Sequence, residues 1–234
     1  MTRSPDRHDP PHETPMIATR STPSARVRHA FAACALTALA AACSVMTPAP
    51  ADAPVLHVLD AMAPAPAAPP AKPTLVLEVG APRAAPGFDT AAIAYVQKPF
   101  TLDYFAMHRW VDPPAQMLAP LLVRALEGTG AFRAVVRSAS GVHADVRLDT
   151  EVIRLQQSFL SRPSRVELVL RAQVVDVASR RIVATRTFEI AREAPADDPE
   201  GGVVAANAAL ANALTEVAAF AVAASAEVAR RGTP

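Results

Sequence analysis

The sequence predicts an α+β domain in which a mixed, largely antiparallel sheet carries two helices on one face. Three stretches, 144–152, 166–174 and 182–190, alternate apolar and polar residues with a period of two. Such alternation is typical of antiparallel strands with one buried and one solvated side. Two further stretches, 112–130 and 203–230, carry apolar residues at helical spacing. In the last long strand the apolar side is expected to comprise Ile182, Ala184, Phe188 and Ile190.

Shorter strands are predicted ahead of the long ones. Residues 75–79 alternate, a Pro/Gly loop follows over 80–88, and residues 132–136 form a strand after the first helix. Residues 55–59 are a short apolar island. Two readings of it stay open: an edge strand, or a loose segment.

A hairpin is predicted between residues 91–96 and 101–106. Lys98 and Pro99 turn the chain between these two strands, and Tyr95 and Tyr104 fall on its opposite arms.

The first helix has recognisable ends. Asp112 is the expected N-cap and Pro113 suits the first helical position. Gly128 and Gly130 end the helix, and Pro120 inside it predicts a bend.

The final helix is expected to start near Val203, because the acidic, glycine-containing stretch 197–202 breaks the strand pattern. It extends to about Arg230, and its apolar face comprises Val203, Leu210, Leu214, Val217, Ala221 and Val228.

The N-terminal part resembles an export signal. Arg20, Arg26 and Arg28 precede an apolar run that ends in Leu39-Ala40-Ala41-Ala42-Cys43, and no acidic residue lies between Glu13 and Cys43. The run is shorter than the roughly 20 apolar residues of a membrane span. A cleaved signal peptide over residues 1–42 is therefore expected.

Cys43 is the expected lipidation site. A diacylglyceryl group on its thiolate and a palmitate-type acyl chain on the freed α-amine would together anchor the chain to a bilayer. Ser44 follows the cysteine, and a residue other than aspartate there favours the outer membrane, although the inner membrane stays open. The alternative for Cys43 is an ordinary buried cysteine in an alanine-rich helix.

Composition and net charge indicate the domain organisation and limit the possible partners. Residues 43–73 form a lipidated N-terminus with a Pro/Ala-rich tether, and residues 74–234 form the folded domain. The net charge of +1 provides no strong field for nucleic acid.

The sequence contains no recognisable catalytic or metal-binding motif, so we expect neither an enzyme, a cofactor nor a metal site. His108 and His143 are isolated in the sequence. Asp197, Asp198 and Glu200 are expected to lie in a solvated loop before a helix.

An ordered set of residues between 87 and 132 resembles the ABC-type transport auxiliary lipoproteins, the PqiC-type group associated with Mce lipid-transport systems. The resemblance covers roughly residues 74–225, and the later strands and the helix at Asn207-Ala208-Ala209-Leu210 fit it. The set comprises Gly87-Phe88-Asp89-Thr90, Ile93, Tyr95, Leu102, Tyr104, Arg109-Trp110, Pro113-Pro114, Leu118 and Gly130-Ala131-Phe132.

The resemblance implies a non-catalytic accessory of an ABC transporter that moves phospholipid or another hydrophobic substrate between the two membranes. Its implied partners are an Mce-domain substrate-binding protein, a permease and an ATPase, and a homo-oligomer stays open. Tyr95, Tyr104, Arg109 and Trp110 are candidates for a partner surface or a groove, although core packing also explains the aromatic residues.

Two other classes of function remain. A structural envelope lipoprotein could help assemble an outer-membrane complex or bind cell-wall polymer, since a fold does not fix a function. A hydrolase is disfavoured, because no nucleophile has a visible partner in the sequence.

Overall fold

The computed structural model describes residues 52–62, 73–138 and 140–231, so the signal region and Cys43 lie outside the described residues. The described residues belong to one compact unit, which spans residues 52–234. The strands are β1 Val55–His57, β2 Val76–Val79, β3 Arg83–Ala84, β4 Ala92–Val96, β5 Asp103–Trp110, β6 Ala134–Arg137, β7 Val146–Ser158, β8 Arg165–Asp176 and β9 Arg181–Glu193, and the helices are α1 Pro114–Gly128 and α2 Pro199–Arg231.

Three long antiparallel strands dominate the sheet. β7 pairs with β8 along its whole length, from Val146 opposite Asp176 to Ser158 opposite Arg165. β9 pairs with the other side of β8. The free side of β7 receives three short parallel strands in turn, because β2, β3 and β4 line successive parts of it.

The remaining strands extend the sheet at its margins. β5 pairs antiparallel with β4, β1 pairs parallel with β5, and β6 pairs parallel with β2. The sheet is therefore mixed with long antiparallel pairings, and the predicted α+β class is confirmed.

The hydrophobic core lies between the sheet and the two helices. α1 buries Leu118, Leu122 and Leu126, and α2 buries Leu214 and Val217. By length and composition α2 could cross a membrane, but its buried face belongs to this core. We therefore treat it as the core helix of the domain.

The start of α1 differs from the prediction. Pro113, not Asp112, is the N-cap residue, with ψ of 137°, and it makes no side-chain cap bond. Pro114 causes this shift, because a residue that precedes proline is driven out of the helical region. Pro120 lies inside the helix as predicted.

α2 begins four residues before the predicted Val203. Asp198 Oδ1 accepts a hydrogen bond from Gly201 N at 2.7 Å, which is the bond expected of an N-cap. The glycines suggested a break, yet both are buried in the first turns, where a Cβ would overlap Ala196 at Gly201 and Gln157 at Gly202. They therefore permit close packing of the helix start.

Ile182 is exposed, which contradicts its predicted place on the buried side of β9. The pairing of β8 with β9 shifts by one residue, so that Val174 opposes Ala184 but Val175 opposes Ile182. A one-residue shift moves a side chain to the other face of a sheet. Phe188 and Ile190, beyond the shift, are buried as expected.

Residues 52–62 pack against the folded unit as a strap, the name we use for this segment. β1 is the edge strand that the sequence left open, and Leu59 and Ala61 are buried in the core. Asn207 of α2 accepts a hydrogen bond from Asp60 N at 2.8 Å and donates one to Val58 O at 3.2 Å. The strap thus occupies part of the interval 43–73 in which the sequence predicted a tether.

Candidate functional site

Two loops meet at one end of the sheet, which we call the loop end: residues 97–102 between β4 and β5, and residues 159–164 between β7 and β8. They are neighbours because β4 and β7 run parallel and finish together, with Val96 opposite Ser158. Phe159 N donates a hydrogen bond to Val96 O at 2.8 Å. The sequence does not reveal this neighbourhood, since the loops are about sixty residues apart.

An aromatic cluster supports the loop end. The ring centroid of Tyr95 lies 4.4 Å from that of Phe105 and 6.1 Å from that of Phe159. Phe105 and Phe159 are 6.4 Å apart in an edge-to-face arrangement, which aromatic rings favour. All three rings are half-buried, so the cluster is rigid but reaches the surface.

The tips of both loops expose apolar side chains. Phe100 is fully exposed and has φ of 64°, a backbone region that residues other than glycine rarely adopt. Leu160 is half exposed on the neighbouring loop. Lys98 is exposed beside Phe100, and 91% of the Arg162 side chain is accessible beside Leu160. The loop end therefore combines apolar and cationic groups.

The four residues predicted for a partner surface or groove do not come together. Tyr95 joins the aromatic cluster. Tyr104 points to the opposite side from Phe105, because adjacent strand residues alternate, and its hydroxyl donates to Gly87 O at 2.9 Å. Arg109 is exposed near the end of β5, whereas Trp110 is only 3% exposed and lies in the core.

His108 is not isolated in the fold. Its Nδ1 atom lies 3.0 Å from His57 Nε2 and 3.5 Å from Glu200 Oε1, so three elements meet here. Burial lowers the pKa of His57, the charge of His108 lowers it further, and Glu200 opposes both effects. Sequence reasoning missed this pair because the two histidines are fifty-one residues apart and β1 was not assigned.

Asp197 and Asp198 precede α2 as expected, whereas Glu200 lies in the first turn of that helix and not in the loop. Asp197 Oδ1 accepts a hydrogen bond from Ser164 N at 2.6 Å, and this bond, more than the nearby Arg162, lowers the pKa of Asp197. Asp198 caps α2. Within residues 52–62, 73–138 and 140–231, no group of three His, Cys, Asp or Glu side chains could hold a metal ion.

Two cavities between the sheet and the helices are small. Two apolar cavities between the sheet and the helices, near Leu155, hold about 10 Å³ each. That is roughly the space of a single water molecule. A larger open depression of about 590 Å³ lies at the opposite end from the loops, between Asp145, Asp176 and the last turns of α2.

Strands β2 to β9, α1, the second half of the strap and most of α2 fall within one family match. The model of the ABC-type transport auxiliary lipoprotein component matches residues 57–218, which include His57 of β1 and most of α2. The chain belongs to this family. The comparison with curated protein sequences finds no match.

Two solved structures resemble this auxiliary lipoprotein. Protein XCC0632 from Xanthomonas campestris, described as a member of family DUF330, is 25% identical with a TM-score of 0.66, and the alignment covers 75% of this chain and 99% of that one. An uncharacterised protein is 14% identical with a TM-score of 0.58, covering 72% and 99% of the two chains. The second likeness concerns the fold alone.

The family match includes the second half of the strap, residues 57–62, because it begins at His57, before residue 74. At the histidine pair of the auxiliary lipoprotein, the N-terminal strap meets β5 and the start of the C-terminal helix. A signal for the strap was present in the sequence, since Val55, Leu56, Val58 and Leu59 form a cluster of large apolar residues within a Pro/Ala-rich stretch.

Proposed function

We propose that this protein is a lipid-anchored, non-catalytic accessory of an Mce-type ABC transporter, which moves phospholipid or another hydrophobic substrate between the inner and outer membranes. The observation that carries the proposal is the family match over residues 57–218, behind a signal region that ends in Cys43. The proposed partners are an Mce-domain substrate-binding protein, a permease and an ATPase.

The anchor is the first part of the proposal. Cys43 would carry the acyl chains and hold the domain at the periplasmic face of the outer membrane. Because the strap begins at residue 52, the eight residues 44–51 separate it from Cys43 and allow a reach of at most about 26–29 Å when fully extended. This reach is shorter than the sequence suggested, and it keeps the domain close to the membrane.

The domain would serve as a docking body. The two cavities beside Leu155 are too small for an acyl chain, so neither of them is proposed as an enclosed lipid site. We propose that the exposed Tyr104 and Arg109 contact the partner, whereas Trp110 supports β5 from the core. Tyr95 would position the loop end through its ring contacts.

Mass spectrometry of the protein from its native membrane tests the anchor. The expected N-terminal residue of the mature chain is Cys43 with a thioether-linked diacylglyceryl group and an acylated amine. Density-gradient separation of the two membranes then distinguishes outer-membrane from inner-membrane location. An unmodified Cys43 still joined to residues 1–42 would contradict the anchor.

Affinity purification from cross-linked membranes tests the partners. The native protein should recover an Mce-domain protein or the permease, and a variant with Tyr104→Ala and Arg109→Ala should recover less of it. Arg137→Ala is the matched control, since Arg137 is an exposed arginine on the distant strand β6. Recovery of outer-membrane proteins without any transporter component would refute the proposal.

A further inference from the structure

We propose that the loop end is a membrane-contacting surface, on which Phe100 and Leu160 enter the interface of a bilayer while Lys98 and Arg162 meet anionic lipid headgroups. The proposed occupant is the lipid surface itself. The inference rests in part on the proposed function, because it uses the anchor at Cys43 to bring the domain to a membrane.

The exposed side chains are the first observation. The Phe100 side chain is fully exposed at the tip of its loop. Its backbone conformation disfavours any residue with a Cβ. Leu160 exposes about half of its surface on the neighbouring loop. These two exposed side chains lie on neighbouring loops outside the core, and aromatic and leucine side chains are common in membrane interfaces.

Charge complementarity is the second observation. The two loops, 97–102 and 159–164, contain two cations, Lys98 and Arg162, and no acidic residue. The nearest acidic groups lie behind them. Asp103 begins β5 opposite Tyr95, and Asp197 is held by Ser164 N, with its other oxygen 4.0 Å from Arg162. A basic residue close to an anionic leaflet favours binding, so the outer rim of the loops suits such a surface.

The direction of the chain is the third observation. β1 runs parallel to β5, with Val55 opposite His108 and His57 opposite Trp110. β5 itself starts directly after the loop that carries Phe100. The chain therefore enters β1 from the side of the loop end, and eleven residues lie between Cys43 and Val55 in the sequence. An anchor at Cys43 would pull the loop end, not the opposite end, toward the bilayer.

These observations favour a bilayer over a protein partner. Each loop presents one exposed apolar side chain next to a long cationic side chain. A bilayer can bind such a surface without a complementary shape, whereas a protein partner needs one. The lipid anchor alone would leave the domain free to rotate about a short segment. Contact between the two loops and the bilayer would restrict its orientation.

Vesicle co-flotation of residues 44–234 tests the proposal without the lipid anchor, and this chain keeps the whole compact unit 52–234. The probes are vesicles of phosphatidylcholine and vesicles that also contain phosphatidylglycerol. We expect binding to the anionic vesicles. The double variant Phe100→Ser with Leu160→Ser should weaken binding roughly tenfold, because two apolar side chains no longer leave water. Lys98→Gln with Arg162→Gln should weaken binding to the anionic vesicles alone.

The matched control is Val142→Ser with Ile182→Ser. These residues are about as exposed as Leu160, but they lie at the opposite end of the sheet, next to the start of β7 and of β9. The control should bind as the unaltered chain does. Equal losses in both double variants, or no binding of the unaltered chain to either vesicle, would overturn the proposal.

The outcomes separate this inference from the proposed function. One outcome is that the Phe100 and Leu160 variant floats normally while its lipidated form no longer recovers a transporter component. In that case the loop end binds protein, and the membrane proposal is wrong. If the vesicle results hold but no transporter component is recovered from native membranes, the membrane surface stands and the proposed function fails.

Discussion

His57 Nε2 lies 3.0 Å from His108 Nδ1, and this contact joins the strap to the sheet. The two rings also stack, with centroids 5.3 Å apart. Because β1 has only three residues, the histidine pair is a substantial part of what holds the strap against β5. The charge state of His57 should therefore affect how firmly the strap is held.

We expect the strap to loosen in acid. The pKa of His57 is lowered in the folded protein, mainly by burial and then by His108, while Glu200 acts in the opposite direction. The unfolded chain then binds the proton more readily, so stability is complete above about pH 6.5 and falls as the pH drops through the lowered pKa. Amide exchange of Val111, whose N–H donates to His57 O at 2.9 Å, reports the opening.

His57→Phe should remove this contribution, since phenylalanine keeps a ring but does not titrate. His143→Gln, at an exposed position away from the strap, should leave the pH dependence of Val111 exchange unchanged. The protection factor of the Val111 amide corrects for the intrinsic pH dependence of exchange. If it falls equally in acid with and without His57, another group controls the strap.

Trp110 should be essential for stability. It is 3% exposed, and truncation of a large buried aromatic residue costs about 3–5 kcal/mol. Trp110→Ala should therefore lower the free energy of unfolding in urea by that amount, whereas Arg109→Ala at the exposed neighbour should change it by less than about 0.5 kcal/mol. A small loss for Trp110→Ala would favour a role in binding.

Gly202→Ala should destabilise the protein. The added Cβ would lie 2.7 Å from Cδ of Gln157, a buried side chain that donates to Ser164 Oγ and to Asp198 O, both at 3.0 Å. Because these bonds hold the side chain in place, we expect a loss of about 1–3 kcal/mol.

Gly128→Ala is the matched control for that substitution. Gly128 is also in a helix, but nothing lies within 4 Å of its added Cβ. Alanine there should stabilise the fold by about 0.5–1 kcal/mol, since it restricts the unfolded chain. Urea unfolding measures the change in the free energy of unfolding for both variants. Equal changes would contradict the close packing of α2 on Gln157.

Asn207→Ala should release the strap without unfolding the domain. Asn207 holds both Val58 and Asp60, and a hydrogen bond contributes about 0.5–1.5 kcal/mol net. Amide exchange at Val111 should therefore accelerate, while exchange in the centre of β8 stays slow. Thr215→Ala is the control, because Thr215 bonds within α2 to Ala211 O. Unchanged exchange at Val111 after Asn207→Ala would contradict this role.

The spacing of apolar residues within each segment was sufficient to predict the long strands, the hairpin and both helices. Such spacing can be recognised without knowing which segments pack together. It failed where contacts between distant segments decide the outcome. A pairing shift turned Ile182 outward, a second proline moved the start of α1, and two buried glycines concealed the start of α2.

The candidate site was less predictable than the fold. Tyr95 lies in an aromatic cluster whose other members, Phe105 and Phe159, had not been selected. The meeting of His57 with His108 depends on a strand that pattern could not assign. Contacts between residues that are far apart in the sequence produce no periodic pattern by which a single sequence could predict them.

A genetic measurement tests the transport role most directly. Cells that lack this lipoprotein and cells that lack the ATPase of its transporter are compared with the double mutant for envelope permeability to a hydrophobic dye. If the lipoprotein works only through the transporter, the single mutants share one defect and the double mutant is no worse. A defect in the double mutant that equals the sum of two distinct single defects would contradict the account.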